Sequence, residues 1–196
     1  MARDRSRAGR RALTTPRSRS AVFLDRDGTI NVEKNYLSLI KDWEWIEGSI
    51  EAIKALNAAG FLTIVVSNQA GIARGKYNIS DVELLHSRVA AELAQYGGVI
   101  DDFYFCPHHP EFGADRNCSC RKPKPGMLVR ASEKWNIDFD TSWMIGDKFI
   151  DVEAGRSAGV STVLVRTGYG ARDAEFVDDK QRVANNLFEA VTSYII

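Results

Sequence analysis

Four times along this chain an apolar run of strand length stops abruptly at a polar cluster, and that recurrence limits the folds open to it. Ala21-Val22-Phe23-Leu24 runs into Asp25 and Asp27. Residues 61–66 run into Ser67-Asn68-Gln69. Phe103-Tyr104-Phe105 runs into a Cys/His segment ending at Arg121-Lys122, and Trp143-Met144-Ile145-Gly146 runs into Asp147, Lys148 and Asp151. Between the runs lie helically spaced residues. Ile50, Ile53, Ala55 and Leu56 precede Gly60; Val82, Leu85, Val89 and Leu93 follow a Ser80-Asp81-Val82-Glu83 capping-box pattern; Met127, Leu128 and Ala131 follow Pro123 and Pro125. Runs apolar on every residue suit strands covered on both faces, and strands alternating with helices need right-handed crossovers. The pattern therefore predicts an α/β, Rossmann-like three-layer sandwich with a central parallel sheet, including a fifth strand over 162–165, a helix over 152–158 and a terminal helix over 186–193.

In such a sheet ligands bind outside the carboxyl ends of the strands, so the four polar clusters are expected in one crevice. Asp25 and Asp27 matter most there. Carboxylates two residues apart repel unless a cation or proton intervenes, which points to a Mg²⁺ site with two differently tuned acids on a turn that Gly28 allows. Residues 32–45, with Tyr36, Trp43 and Trp45, lack helical spacing and read as a flap over the site. His86, alone within its helix, reads as a surface or packing residue with no assigned role.

At 196 residues the chain suits one domain, and no apolar run nears the roughly 18 residues that span a bilayer, so no membrane partner is expected. The zero net charge hides an asymmetry: the first 20 residues hold seven Arg and one Asp, leaving 19 basic against 25 acidic residues in the rest. We therefore expect a disordered basic tail over 1–20 and a single domain over 21–196. The mildly acidic body argues against nucleic acid and requires local cations for any phosphate. Arg10-Arg11 lacks the apolar segment of an export signal. Three cysteines, Cys106, Cys118 and Cys120, make an odd set within one loop, which suits a metal site in a reducing cytoplasm better than a disulfide framework.

Asp25-Arg26-Asp27-Gly28-Thr29, Ser67, Lys122 and Gly146-Asp147-Lys148-x-x-Asp151 resemble the four motifs of the haloacid dehalogenase superfamily of phosphatases, over about residues 21–170. The longer strings Phe-Leu-Asp-Arg-Asp-Gly-Thr-Ile-Asn, Ser-Asn-Gln-Ala-Gly-Ile-Ala-Arg-Gly, Cys-Pro-His-His-Pro and Cys-Arg-Lys-Pro-Lys-Pro-Gly-Met are similar, more narrowly, to the D-glycero-D-manno-heptose 1,7-bisphosphate 7-phosphatase family. The resemblance implies a phosphatase without a large cap domain. In it Asp25 is the nucleophile and forms an aspartyl-phosphate, Asp27 is the acid and base, Ser67 binds a phosphoryl oxygen and Lys122 offsets developing charge. It also implies Mg²⁺ on Asp25, the Asp27 carbonyl and Asp147, with Lys148 and Asp151 orienting the fourth motif.

Substrate contacts are expected from Glu33, Lys34, Asn35, Tyr36, Ser67, Asn68, Gln69, Ala70, Arg121, Lys122 and Lys148. Asn35 stands where family members commonly have Gly, and Ala70 where many have Ser. Cys106-x-His108 and Cys118-x-Cys120 supply the ligand set of a closed tetrahedral Zn²⁺ site, the family pattern favouring His108 over His109. The expected partner is a small phosphosugar and the expected state a monomer. The competing readings are a histidinol-phosphate or other small phosphosugar phosphatase and, outside enzymes, a module that binds nucleic acid through the zinc loop and basic tail, where the interleaved aromatics of a stacking platform are missing.

Overall fold

The computed structural model describes residues 18–196. Within them twelve elements follow in order: β1 (Ala21–Leu24), α1 (Ser49–Ala58), β2 (Leu62–Asn68), α2 (Ile79–Gln95), β3 (Asp102–Cys106), α3 (Gly126–Trp135), β4 (Trp143–Gly146), α4 (Phe149–Ala158), β5 (Ser161–Val165), α5 (Gly170–Asp173), β6 (Arg182–Ala184) and α6 (Leu187–Tyr194). The six described strands form one parallel sheet in the order β3-β2-β1-β4-β5-β6. The order reverses between β1 and β4, which opens a crevice beyond their carboxyl ends.

Alternation along β1 builds both cores. Val22 and Leu24 join Val65, Ile145 and Val163 beneath α1 and α6, against Ile53, Leu56, Leu187 and Val191. Ala21 and Phe23 face the other way, with Ile64, Val66 and Met144, against Met127, Leu128 and Ala131 of α3. Because every residue of β1 is buried, the strand reads as continuously apolar rather than alternating.

Two elements differ from expectation. The capping box of α2 lies two residues earlier than Ser80: Asn78 Oδ1 accepts from Asp81 N and Asp81 Oδ2 accepts from Asn78 N, while Ser80 donates to Asn78 Oδ1. A sixth strand, β6, pairs with β5, although of its three residues only Ala184 is buried. Residues 1–17 of the expected tail lie outside the described residues, whereas Arg19 bridges to Ile137 and the Ser20 carbonyl accepts from Leu62 N.

The stretch between β1 and α1 carries one 3-10 turn, Ile40–Asp42, and the described residues contain no separate cap domain. Leu37, Trp43 and Trp45 pack against Leu85 and Val89 of α2, and this contact anchors the expected flap.

Candidate active site

The site begins at the turn after β1. Asp25 N donates to the Ile145 carbonyl of β4, while Gly28 N donates to the Asn31 carbonyl and closes the turn. Gly28 has φ +89°, and a Cβ there would overlap the Asp147 carboxylate, so backbone conformation and close approach both require glycine. Thr167 Oγ1 donates to the Gly28 carbonyl at 2.6 Å and ties the turn to the loop after β5.

Lys122 is fully buried and joins the motifs. Its Nζ lies 2.6 Å from Asp25 Oδ1, 2.7 Å from Asp151 Oδ1 and 2.7 Å from the Val66 carbonyl. Burial alone would lower the Lys122 ammonium, but Asp151 and Asp25 outweigh it and hold it above its ordinary value. Burial likewise works against ionised Asp25, yet Lys122 and then Lys148 hold its carboxyl below the ordinary range. The nucleophile candidate is thus a buried side chain that keeps its charge.

The Lys122 loop is clamped from β2: Asn68 Nδ2 donates to the Lys122 carbonyl and Lys122 N donates to Asn68 Oδ1, both at 3.0 Å.

Asp147, at the end of β4, has no exposed surface. Its Oδ2 accepts from Tyr169 N at 2.8 Å; its Oδ1 has no hydrogen-bond partner among the described residues and only Lys148 Nζ at 3.8 Å. Burial, with Asp25 next in weight, raises its carboxyl to about 8. Asp151 is raised to about 6, chiefly by burial; its Oδ1 holds the Lys122 ion pair off the hydrogen-bond axis. Carboxylate oxygens of Asp25, Asp147 and Asp151 lie within 4.8 Å of one another. An unpartnered buried oxygen beside two further carboxylates fits a hard divalent cation, which would relieve both the repulsion and the desolvation.

Asp27 is held by its neighbours. Arg26, itself buried, donates to both Asp27 carboxylate oxygens, Nη2 to Oδ2 at 2.8 Å, and Asn31 Nδ2 donates to Oδ1 at 3.0 Å. Arg26 Nη2 also donates to the Leu37 carbonyl, and Nη1 lies 3.3 Å from His86 Nε2. His86 is buried and stacked on Phe103 at 4.5 Å; burial, then Arg26, lowers its imidazole to about 3. Neutral His86 therefore presents a lone pair to the guanidinium.

A cleft of about 220 Å³ gathers Asp25, Asp27, Glu33, Asn35, Tyr36, Ser67, Asn68, Gln69, Ala70, Arg121, Lys122, Lys148 and Asp151, together with Tyr77 and Ile150. Lys34 is not among them; it pairs with Glu44 at 2.8 Å. Asn35 and Tyr36 have φ of +50° and +61°, and the Asn35 amide donates to Glu33 Oε1, so the residue in the usual Gly position keeps the left-handed turn. Sequence reasoning passed over Arg26 and Tyr77. A charged residue between two aspartates carries the signature of a solvated turn, and a lone Tyr in a loop carries none.

At the end of β3, Cys106, His108, Cys118 and Cys120 converge, with Cys106 Sγ 3.6 Å from Cys118 Sγ and 3.2 Å from Cys120 Sγ. His108 Nδ1 faces Cys120 Sγ at 3.4 Å and its Nε2 faces Asp115 at 3.6 Å, the arrangement of a metal-bound imidazole with a carboxylate behind it. His109 points elsewhere: its Nδ1 accepts from Glu111 N and its Nε2 lies 3.1 Å from Arg74. Arg121 donates to the His108 carbonyl at 3.0 Å, which couples the loop to the cleft.

Comparison with known proteins places most of the chain. A family model described as HAD-hydrolase-like matches residues 119–190. The chain is 42% identical over 176 residues to a D-glycero-β-D-manno-heptose-1,7-bisphosphate 7-phosphatase of Pasteurella multocida, covering 88% of this chain and 93% of that protein. It is 46% identical over 152 residues to the protein of that name from Escherichia coli K12, covering 76% and 80%. Among solved structures, a D,D-heptose 1,7-bisphosphate phosphatase from B. bronchiseptica, complexed with magnesium and phosphate, superposes with a TM-score of 0.81 at 31% identity, covering 89% of this chain and 97% of that one.

Proposed function

The chain belongs to the haloacid dehalogenase superfamily, within its D-glycero-β-D-manno-heptose-1,7-bisphosphate 7-phosphatase family of phosphoric monoester hydrolases, and on that premise we propose that it removes the 7-phosphate of the heptose bisphosphate through an aspartyl-phosphate. The product is heptose 1-phosphate, ready for nucleotide activation. The observation that carries this reading is Asp25, buried at the floor of the cleft, kept ionised by Lys122 and grouped with the unpartnered Oδ1 of Asp147.

Asp25 attacks phosphorus with the oxygen that Lys122 does not hold, while Lys122 offsets charge gathering on the phosphoryl group. Asp27, aimed by Arg26 and Asn31, gives a proton to the departing sugar oxygen and then takes one from the water that cleaves the acyl phosphate. Ser67 donates to a phosphoryl oxygen. Asp25, the Asp27 carbonyl and Asp147 would hold Mg²⁺, with Asp151 beside them. That ion would neutralise the nucleophile's repulsion for phosphate and act as a Lewis acid on the transferring group.

Substrate contacts fall to Arg121, Lys148, Glu33, Asn35 and Tyr36, which line the open side of the cleft. Cys106, His108, Cys118 and Cys120 would hold a structural Zn²⁺, supported by the thiol spacing and by Asp115 behind His108. Thiols offered to a metal instead of being paired in disulfides suit a cytoplasmic enzyme. No helix among the described residues is long and apolar enough to cross a membrane.

The test is phosphate release, with Mg²⁺, from heptose 1,7-bisphosphates of both anomers, other phosphosugars and histidinol phosphate. The proposal expects the highest kcat/KM on a heptose bisphosphate, with heptose 1-phosphate as product. A preference for histidinol phosphate would overturn the substrate. Salt-sensitive nucleic-acid binding without turnover would overturn the enzyme reading.

A further inference from the structure

Gln69 lies in the cleft wall, yet its amide is already engaged at every polar atom. Nε2 donates to Ser67 Oγ at 2.7 Å and to Asp27 Oδ2 at 3.2 Å, and Oε1 accepts from the Tyr77 hydroxyl at 2.7 Å. Asp27 Oδ2 already accepts from Arg26 Nη2 at 2.8 Å, so it meets the amide's Nε2 and not its oxygen, and the oxygen turns to the Tyr77 hydroxyl. The two ends therefore agree on one orientation. In that orientation Ser67 accepts on its protein side, which leaves its own O–H for another acceptor.

We infer that Tyr77 is a positioning residue for phosphoryl transfer: by donating to Gln69 Oε1 it fixes the amide so that Ser67 keeps its hydrogen for the phosphoryl group. Gln69 is then the relay between the two and not a substrate contact. The inference rests on the proposed role of Ser67.

Two features support it. The hydroxyl end of the Tyr77 ring lies against Gly71, where any Cβ would overlap Cε1, Cζ and the hydroxyl oxygen, so this glycine lets the hydroxyl reach Gln69. Burial raises the hydroxyl to about 12, against the smaller opposing effect of Arg26, so it remains a donor at working pH. Without that donor, Gln69 Oε1 is a buried carbonyl lacking a partner, while the Ser67 hydroxyl already lies 2.7 Å from the same amide's nitrogen. An amide that turns to take the Ser67 hydrogen withdraws it from the substrate.

The test is a double-variant cycle on Tyr77→Phe and Ser67→Ala, with p-nitrophenyl phosphate beside the heptose bisphosphate so that an error about the sugar is not mistaken for one about the relay. Tyr77→Phe should leave the melting temperature and Mg²⁺ half-saturation near wild type and lower kcat/KM about tenfold, the scale of one net hydrogen bond. In the Ser67→Ala background the same change should cost less than about twofold, because the hydroxyl it protects is gone. Undiminished activity in Ser67→Ala alone would remove the reading of Ser67 and this inference with it. A costly Ser67→Ala beside a Tyr77→Phe that is silent, or equally costly in both backgrounds, would overturn the relay alone. If Tyr77→Phe does not fold, Gly71→Ala, whose Cβ would push the Tyr77 ring and its hydroxyl away from Gln69 while leaving the amide in place, runs the same cycle with the same expectations.

Discussion

Acid should destabilise this domain through His86, and the size of the effect follows from its surroundings. The imidazole is buried, stacked on Phe103 and directed at a guanidinium, so it titrates at about 3 in the folded chain against about 6.5 when unfolded. Below about pH 6.5 the unfolded chain gains a proton that the folded chain refuses. The contribution of neutral His86 is thus complete above that value and is lost as the pH falls toward 3. At pH 5 the gap of about 1.5 units below the unfolded value corresponds to about 2 kcal/mol, against almost nothing at pH 7.5. Other groups, Asp147 and Asp151 among them, also change with pH, so the informative quantity is the difference from a variant. His86→Gln keeps an acceptor for Arg26 but cannot titrate. Urea unfolding of both proteins at pH 7.5, 6 and 5 should show wild type losing about 2 kcal/mol more than His86→Gln between the extremes, whatever the variant costs at neutral pH. Parallel losses in the two proteins would refute the reasoning, since His86 would then either be solvated or carry its proton in both states.

Asp25→Asn should reduce phosphate release by at least about 10⁴-fold in a protein that stays folded, because an amide oxygen does not displace at phosphorus; residual turnover within tenfold of wild type would remove it as nucleophile. Asp147→Asn should raise the Mg²⁺ concentration for half-maximal activity by at least about tenfold and, by removing a buried carboxyl that titrates at about 8, should not lower stability in metal-free buffer; an unchanged Mg²⁺ titration would exclude Asp147 as a ligand. Cys118→Ser should lose zinc by metal analysis yet lower kcat/KM only about tenfold, because Asn68 still clamps Lys122. Adding Asn68→Ala should carry the loss to about 10²-fold, and a zinc-free single variant that already loses that much would show the clamp to be ineffective.

The parts of this protein legible in its sequence are those set by local physics. Continuous apolar runs marked β1 and β4 at their observed ends, and Pro125 with the apolar spacing after it marked α3 over Gly126–Trp135. The motifs at the strand ends named Asp25, Asp147 and Lys122, because a parallel sheet gathers its carboxyl ends in one crevice. β6 stayed hidden, since three residues with one buried side chain leave no periodicity and the strand exists by pairing with β5. The cap of α2 falls at Asn78 although two overlapping patterns, Asn-x-x-Asp and Ser-x-x-Glu, are equal on paper; the extended backbone at Asn78 and its reciprocal bonds with Asp81 mark the one the fold uses.

Side-chain partnership was beyond the sequence altogether. Arg26, polar and flanked by aspartates, is core because His86 and Leu37 meet it from sixty and eleven residues away. Asn68 and Gln69 follow one another in the chain, but one clamps the Lys122 backbone and the other joins Ser67, Asp27 and Tyr77. Composition and spacing thus determine which residues can do chemistry and which strand ends carry them. Which hydrogen bond each one makes depends on geometry that arises only when the crossovers close, since a donor and acceptor far apart in sequence leave no mark on each other's neighbours.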